Sequence, residues 1–290
     1  MQNVKIKRIN VPSLMKWTGS KRLLAPLIKD VITSHNRYFE PFLGGGSLLY
    51  YFAKHQSVGS DIYKPLIDFW SLVQSSPDLL ISDYREKWTK LSDELDSINT
   101  ESLSNCDNQL PTFYYQIRDN FNNNPNPFDL NFLMRTCVNG IVRFNKNGEF
   151  NNSFHLSRRG MHPDRFKDIV DKWYLKIKGV DFICQDYKST LLLSKKGDFV
   201  YMDPPYVNNK NRYYSDIEID KLFRELDKLN SKGVFWALSF DGIRGDRNMI
   251  QSVPSDIYKR HVLLNGGSSS VNKVLNGSID NVHESLYVNY

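Results

Sequence analysis

Short apolar runs alternate with amphipathic stretches toward both ends of the chain. Residues 198–202 and 234–240 are largely apolar or aromatic, which is typical of buried strands. Between them, residues 217–229 repeat their apolar positions at helical spacing, so a helix is predicted to connect the two strands. Further strand-like runs lie near residues 38–40, 58–61, 180–184, 257–264 and 282–288. The alternation predicts an α/β fold built on an open sheet.

The middle of the chain lacks this alternation and has a helical pattern instead. Its apolar residues recur at alternating steps of four and three, or are separated by an Asn- and Pro-rich break. Three helices are predicted, at about residues 80–98, 113–121 and 128–138. We therefore expect two domains, one made of residues 1–75 and 179–290 with the sheet, and an inserted, mainly helical one made of residues 76–178.

The end of the insert is predicted to be a β-hairpin. Two arms, residues 141–144 and 150–154, flank Asn147-Gly148, a pair that favours a tight turn. Basic residues follow at once, among them Arg158 and Arg159. A basic ribbon with aromatic residues suits phosphate and groove contacts on a nucleic acid, although a solvated surface hairpin has the same pattern.

Composition limits the class of protein. The chain has 290 residues, 40% hydrophobic and 13% aromatic, which argues against extended disorder, and its net charge of +6 is compatible with a polyanionic partner. Three widely spaced cysteines, Cys106, Cys137 and Cys184, predict neither a disulfide framework nor a metal site. Since neither a signal peptide nor a membrane span is evident, we expect a cytoplasmic protein with no membrane partner and no metal.

Candidate chemistry follows the central strand directly, at Asp203-Pro204-Pro205-Tyr206. A strand of an open α/β sheet delivers the residues after its carboxyl end into the ligand crevice. Asp203 and the carbonyl of Pro204 form a pair of acceptors that suits the two hydrogens of an amino group, and Tyr206 offers a flat face for a planar ring. A strand that ends in a proline turn, with Tyr206 in the core, would have the same sequence.

A glycine-rich loop follows the first predicted strand. Gly44, Gly45 and Gly46 allow a ligand to approach the backbone closely, and Asp61 comes 17 residues after Gly44, at the end of the next strand. Leu49 breaks the Gly-x-Gly-x-x-Gly register. The loop therefore favours a nucleoside cofactor without phosphates, with a dinucleotide oxidoreductase as the alternative.

Four sequence blocks resemble, in the same order, those of the Dam-type DNA adenine-N6 methyltransferases, the alpha or D12 class. They are Lys16-Trp17-x-Gly19-x-Lys21, Glu40-Pro41-Phe42-x-Gly44-Gly45-Gly46-Ser47, Ser60-Asp61-Ile62 and Asp203-Pro204-Pro205-Tyr206. The resemblance implies a Rossmann-like S-adenosylmethionine-dependent methyltransferase sheet, with the insert as a DNA target-recognition domain. It also implies methyl transfer to adenine N6 in double-stranded DNA, with the target base flipped out of the helix.

The resemblance also assigns residues. The catalytic residues would be Asp203, Pro204, Pro205 and Tyr206. The cofactor-binding residues would be Trp17, Lys21, Phe42, Gly44, Asp61, Asp186, Tyr187 and Asp203. The DNA-binding residues would be Lys16, Val138, Asn139, Arg143, Asn145 and Ser153. The basic stretch after the hairpin adds Arg158 and Arg159 as DNA-binding candidates on its charge alone. Val138 stands where the best-known members of the family carry an aromatic wedge, and valine cannot stack on bases.

The same resemblance leads to expectations about partners. The match of Lys16 and Arg143 to Dam-type base readers favours a site that contains GAT. We expect a monomeric modification enzyme of a restriction-modification system, whose cognate restriction endonuclease shares the site without forming a stable complex with it. The alternatives are an amino-methyltransferase that acts on RNA or on a protein glutamine, and a catalytically inactive DNA-binding relative.

Overall fold

The computed structural model describes residues 12–17, 19–102, 110–156, 158–205, 218–245, 247–268 and 281–290. Tyr206, predicted to be part of the catalytic motif, lies outside these residues, as does Cys106.

One mixed sheet organises the described chain. Its strands are β1 (Tyr38–Glu40), β2 (Val58–Asp61), β3 (Asp181–Cys184), β4 (Phe199–Met202), β5 (Phe235–Arg244), β6 (Arg247–Asn248), β7 (Arg260–Ser268) and β8 (Asn281–Val288). The order is β3-β2-β1-β4-β5-β8-β7, with β6 paired to β5. The first five strands are parallel, whereas β8 is antiparallel to both of its neighbours. The predicted Rossmann-like α/β class is confirmed.

Helices flank this sheet and fill the insert. They are α1 (Ala25–Val31), α2 (Leu49–Phe52), α3 (Lys64–Ser75), α4 (Pro77–Ser102), α5 (Thr112–Asn123), α6 (Pro127–Thr136), α7 (Pro163–Lys176), α8 (Tyr187–Leu192) and α9 (Ile219–Lys232). Helix α9 buries Leu222, Leu226 and Leu229, which repeat at steps of four and three along one face. It ends at Gly233, which adopts a φ of 70°.

The central strand β4 is buried on both faces. Phe199 and Tyr201 pack into the apolar cluster on one side of the sheet, and Val200 and Met202 pack into the cluster on the other side. Alternate side chains of a strand point to opposite faces, so a strand covered on both sides needs a continuous apolar run. This is why the run was recognisable in the sequence. Asp203 therefore directly follows a rigid, fully covered strand.

The insert occupies the chain between α3 and β3. Helices α4 to α7 bury Leu80, Tyr84, Phe132 and Trp173 in the same apolar cluster that contains Tyr38 of β1. The core is therefore continuous between the sheet and the insert in the described residues.

Several predicted boundaries were wrong. The third insert helix ends at Thr136 rather than near residue 138, because Cys137 is extended and Asn139 has a left-handed φ of 58°. Strand β7 begins at Arg260 instead of residue 257, since Ile257 lies in a turn.

The predicted hairpin is antiparallel, but it is not a regular two-stranded ribbon. Isolated bridges join Phe144 to Phe150 and Cys137 to Phe154. Between the first pair the chain turns at residues 145–149, where the amide of Asn145 donates to the carbonyl of Glu149 at 2.9 Å. The amide of Asn151 also donates to the carbonyl of Arg143 at 3.0 Å, and the amide of Val138 donates to the carbonyl of Ser153 at 2.9 Å, so the two sides are joined at separate points rather than along a continuous ladder.

The insert also holds the segment before α1. Trp173 of α7 donates its indole N–H to the carbonyl of Pro12 at 2.9 Å. Arg135 of α6, buried beneath the Phe166 ring, donates to the carbonyl of Leu14. Burial lowers the pKa of Arg135 to about 10, although it remains a cation at neutral pH. These contacts fix the backbone that leads into Trp17.

Candidate active site

One cleft collects the predicted cofactor residues at the carboxyl ends of the parallel strands. It encloses about 220 Å³ between the glycine loop, the start of α8 and the residues that follow β4. Its lining includes all eight residues assigned to the cofactor, namely Trp17, Lys21, Phe42, Gly44, Asp61, Asp186, Tyr187 and Asp203. Pro204 and Pro205 also line it. Residues that are spread from position 17 to position 205 in the sequence thus come together where open α/β sheets bind ligands.

The glycine loop has no room for side chains. A Cβ atom on Gly44, whose φ is 44°, would lie 2.7 Å from Cδ1 of Trp17. One on Gly46 would lie 2.9 Å from the ring of Trp70. Trp70 in turn donates its indole N–H to the carbonyl of Gly44 at 3.1 Å. The backbone of the loop is therefore held directly against the cleft, with indoles on either side.

Asp61 also has a structural role that its sequence position does not predict. One carboxylate oxygen accepts from the amide of Gly44 at 3.3 Å, and the other accepts from the amide of Tyr63 at 3.1 Å. Burial raises the pKa of Asp61, while these backbone donors oppose that shift. The carboxylate therefore ties the end of β2 to the glycine loop in addition to facing the cleft.

Aromatic rings line two sides of the cleft. Phe42 and Tyr187 lie 5.2 Å apart between ring centroids. On the other side Tyr63 contacts Trp17 at 6.2 Å and Phe144 of the hairpin at 5.5 Å. Flat apolar rings at these positions suit a planar heterocyclic ligand. Asp186 caps the start of α8, where it accepts from the amide of Lys188 at 2.9 Å.

Asp203 lies directly after β4, beside a buried cation. The ammonium of Lys21, 4% exposed, is 2.9 Å from Oδ1 of Asp203 and 3.2 Å from Oε2 of Glu284. Burial raises the pKa of Asp203 to about 6, Lys21 opposes this shift, and the charge of Glu284 adds to it. Asp203 is therefore chiefly ionised at neutral pH, although its ionised form is destabilised by the surroundings.

Glu40, at the end of β1, is a cleft residue that the predicted set does not include. It is 4% exposed and accepts a hydrogen bond from the Tyr38 hydroxyl at 3.1 Å. Burial raises its pKa to about 8, and the charge of Asp203 adds to the shift. The signal was present, because Glu40 opens the Glu-Pro-Phe block.

Three further residues in or beside the cleft were not identifiable from the sequence. Phe144 and Tyr63 line the cleft, yet nothing in their spacing distinguishes them from core aromatics. Glu284 contacts Lys21 from β8, far along the chain. Only the strand pairing brings it to the site.

The DNA-binding candidates lie outside the cleft lining. Lys16 is exposed and its aliphatic chain lies over Gly140, where a Cβ would be 2.3 Å from Cδ of the lysine. Its pKa is lowered by burial, by Arg158 and by Arg135. Lys16 and Arg158 therefore form one positive region beside the hairpin.

The remaining candidates are divided between exposed positions and internal contacts. Asn139 and Ser153 are exposed, and the amide of Val138 donates to the carbonyl of Ser153 at 2.9 Å. Arg143 is exposed and donates to Oδ1 of Asn151 at 3.1 Å.

Two of the candidates have structural partners within the insert. Asn145 closes the hairpin turn, since its side-chain oxygen accepts from the amides of Asn147 and Glu149. The guanidinium of Arg159 pairs with Asp96 of α4 and reaches the carbonyl of Ser92 at 3.5 Å. Both side chains thus stabilise the local structure of the insert.

Two absences apply to the part of the chain that the structure describes. No group of three His, Cys, Asp or Glu side chains comes together there to hold a metal ion. Nor does any helix among these residues have the length and apolar character needed to cross a membrane.

The sequence is similar to known DNA-modifying proteins. The family profile of the D12 class N6 adenine-specific DNA methyltransferases matches residues 17–262. The Type II methyltransferase M.MjaIII of Methanocaldococcus jannaschii is 30% identical over 77% of this chain and 83% of its own length. The Type II methyltransferase M1.LlaDCHI of Lactococcus lactis is 25% identical over 98% of this chain and 97% of its own length. The DNA adenine methylase of Serratia marcescens is 28% identical over 67% of this chain and 66% of its own length.

Proposed function

This chain belongs to the D12 class of N6 adenine-specific DNA methyltransferases, and we propose that it uses S-adenosylmethionine to methylate an adenine flipped out of double-stranded DNA. Family membership supports this function over an amino-methyltransferase that acts on RNA or on a protein glutamine, and the intact Asp203-Pro204-Pro205-Tyr206 motif argues against an inactive relative. The observation that carries the proposal is the position of Asp203, which opens into the same cleft as the glycine loop.

The side chains that line the cleft support the methyl donor as its ligand. Gly44 would bring the backbone close to it, because a Cβ there would meet Trp17. The rings of Phe42 and Tyr187 would cover its adenine, and Asp186 would accept from the adenine amino group. Asp61 would accept from ribose hydroxyls. Trp17, Lys21 and Asp203 would close the remaining side, and the bound donor supplies a methyl group activated by a sulfonium charge.

Asp203 would act on the target amine. The nitrogen lone pair of an adenine amino group is conjugated with the ring, so the amine is a poor nucleophile. Asp203 and the Pro204 carbonyl, by accepting its two hydrogens, would favour a tetrahedral nitrogen with its lone pair directed at the methyl group. Positive charge develops on that nitrogen during attack, and the adjacent carboxylate stabilises it. Pro205 would shape the turn, and Tyr206 would stack on the extruded base.

Residues 76–178 would form the target-recognition domain, as distinct from the catalytic residues 1–75 and 179–290. Lys16 and Arg143 would read base edges, with a GAT-containing site as the expected target. Arg158 would contact phosphate beside Lys16, and Asn139, Val138 and Ser153 would face the DNA. Asn145 and Arg159 would contribute by shaping the hairpin and its support, in keeping with their partners in the insert.

The biological setting remains part of the proposal. Relatives described as Type II methyltransferases support a role as the modification enzyme of a restriction-modification system. The cognate endonuclease would share the recognition site without a stable contact. With DNA as its substrate the reaction would take place in the cytoplasm, and a monomer would suffice for it.

Transfer of a tritiated methyl group from labelled S-adenosylmethionine tests the proposal. We expect label in duplex DNA as N6-methyladenine, little in RNA, and none with Asp203→Ala. Asp171→Ala serves as the control, because Asp171 pairs with Lys167 on the solvent-facing side of α7 and neither residue lines the cleft. Label in RNA rather than DNA, or an active Asp203→Ala protein that binds the donor normally, would contradict the proposal.

A further inference from the structure

The ammonium of Lys21 has an ordered set of acceptors. It contacts Oδ1 of Asp203 at 2.9 Å, Oε2 of Glu284 at 3.2 Å and the carbonyl of Gly19 at 3.3 Å. A lysine ammonium has three hydrogens, and these three acceptors match them. The position of the cation is therefore set by three groups and not by Asp203 alone.

The strand pairing that brings Glu284 to this point has an electrostatic cost. Glu284 on β8 stands directly opposite Asp241 on β5 in the antiparallel ladder. Like charges in this arrangement are destabilising. The Lys21 ammonium, 3.2 Å from Oε2 of Glu284, places an opposite charge beside Glu284 and offsets part of this repulsion.

The ladder is irregular at the same point. Its register shifts between Asp241 and Ile243, and a Cβ on Gly242 would lie 2.3 Å from the carbonyl oxygen of His283. A β-bulge of this kind changes the direction of nearby side chains, and bulges are frequent beside active sites. The bulge and the close approach at Gly242 thus set where the Glu284 backbone lies.

We propose that Glu284 is a positioning residue for methyl transfer: it fixes the Lys21 ammonium on Oδ1 of Asp203, so that Oδ2 is kept for the substrate amine. Within the described part of the chain, Oδ2 accepts no hydrogen bond. The inference rests on the proposed function, since it concerns the carboxylate that would receive the amine. Glu284 would act through Lys21 without touching the base.

Glu284 would also contribute to the charge state of Asp203. The groups that face Asp203 are Lys21 before α1, Glu284 on β8, Asp241 on β5, Glu40 on β1 and Tyr201 on β4. Lys21 favours the ionised form, whereas Glu284 and Asp241 disfavour it. Loss of the Glu284 charge should therefore lower the pKa of Asp203.

Two variants separate charge from position. Glu284→Gln keeps an acceptor for Lys21 but loses the charge, so the acid limb of the kcat/KM profile should move down by about one pH unit. Glu284→Asp keeps the charge but withdraws it by one methylene, so kcat should fall roughly tenfold with KM values changed less than about twofold. A carbon-13 NMR titration of the Asp203 carboxyl, in protein without donor or DNA, should show the same downward pKa shift in Glu284→Gln.

Glu86→Gln is the matched control, because Glu86 is an exposed carboxylate that pairs with Lys90 on α4. It should leave kcat and the acid limb unchanged. An unmoved Asp203 titration in Glu284→Gln, or wild-type kcat in Glu284→Asp, would overturn the inference. If Glu284→Gln does not fold, the kcat of Glu284→Asp alone tests the inference. Failure of the proposed function would differ, since the wild-type protein itself would then transfer no methyl group to DNA adenine.

Discussion

Asp203→Asn is expected to make the protein more stable while it abolishes methyl transfer. The substitution keeps the size of the side chain and removes its charge. The surroundings raise the pKa of Asp203 from 3.8 to about 6, and its side chain is 19% exposed. The native state therefore holds the ionised carboxylate less favourably than the unfolded chain does. Lys21 keeps Glu284 as a partner in the variant.

The size of the effect follows from linkage. Between pH 3.8 and 6 the native state binds more protons at Asp203 than the unfolded state, so this residue's contribution to stability falls as the pH rises. At about 1.4 kcal/mol per pKa unit, the destabilisation is about 3 kcal/mol at pH 8 and about 1.6 kcal/mol at pH 5. Asparagine, which does not titrate, should recover these amounts and show the larger gain at the higher pH.

Urea unfolding at pH 5 and pH 8 measures the difference. The variant should exceed the wild type in free energy of unfolding at both pH values, with the gap roughly doubling at pH 8, while methyl transfer to DNA is lost. Asp171→Asn, which removes a carboxylate from an exposed pair on α7, should change stability by less than about 1 kcal/mol. A destabilised Asp203→Asn protein, or a gain that is the same at both pH values, would refute the reasoning.

Three further substitutions have defined outcomes. Gly44→Ala should weaken S-adenosylmethionine binding at least tenfold by calorimetry, because the new Cβ would lie 2.7 Å from the Trp17 indole; unchanged affinity would contradict the loop assignment. Arg143→Ala should lose about 1–3 kcal/mol of discrimination between the target site and a one-base variant in competition binding, whereas equal weakening on all sequences would indicate a phosphate contact. Glu40→Gln should raise stability by about 2 kcal/mol at pH 6 and by roughly twice that at pH 9, because burial raises the pKa of Glu40 from 4.5 to about 8 and the native state keeps a proton that the unfolded chain releases; a gain already complete at pH 6 would exclude that shift.

The central strand and the motifs at the strand ends were predictable because they are local. Phe199 to Met202 must be apolar throughout, since β4 is covered on both faces. Asp61 ends β2 and Asp203 follows β4, and the carboxyl ends of these strands share one edge of a parallel sheet, so the convergence of the two residues could be expected.

The parts that depend on long-range pairing or on local backbone exceptions were not predictable. Glu284 reaches Lys21 only because β8 pairs with β5 and the ladder bulges at Gly242. The end of α6 at Thr136 follows from the extended conformation of Cys137, after which Asn139 has a left-handed φ, and no periodicity reveals either conformation. Asn145 reads as a polar surface residue, yet its side chain closes the turn on which it stands.

In the proposed reaction, Asp203 holds the amine of an extruded adenine. The most direct measurement is the distance from the adenine N6 to Asp203 in a crystal of the protein with target DNA and a non-reactive analogue of the methyl donor. We predict N6 at about 2.7–3.2 Å from Oδ2 of Asp203, within similar reach of the Pro204 carbonyl, with Lys21 still on Oδ1. A target adenine bound in the cleft with its amine turned away from Asp203 would contradict the account.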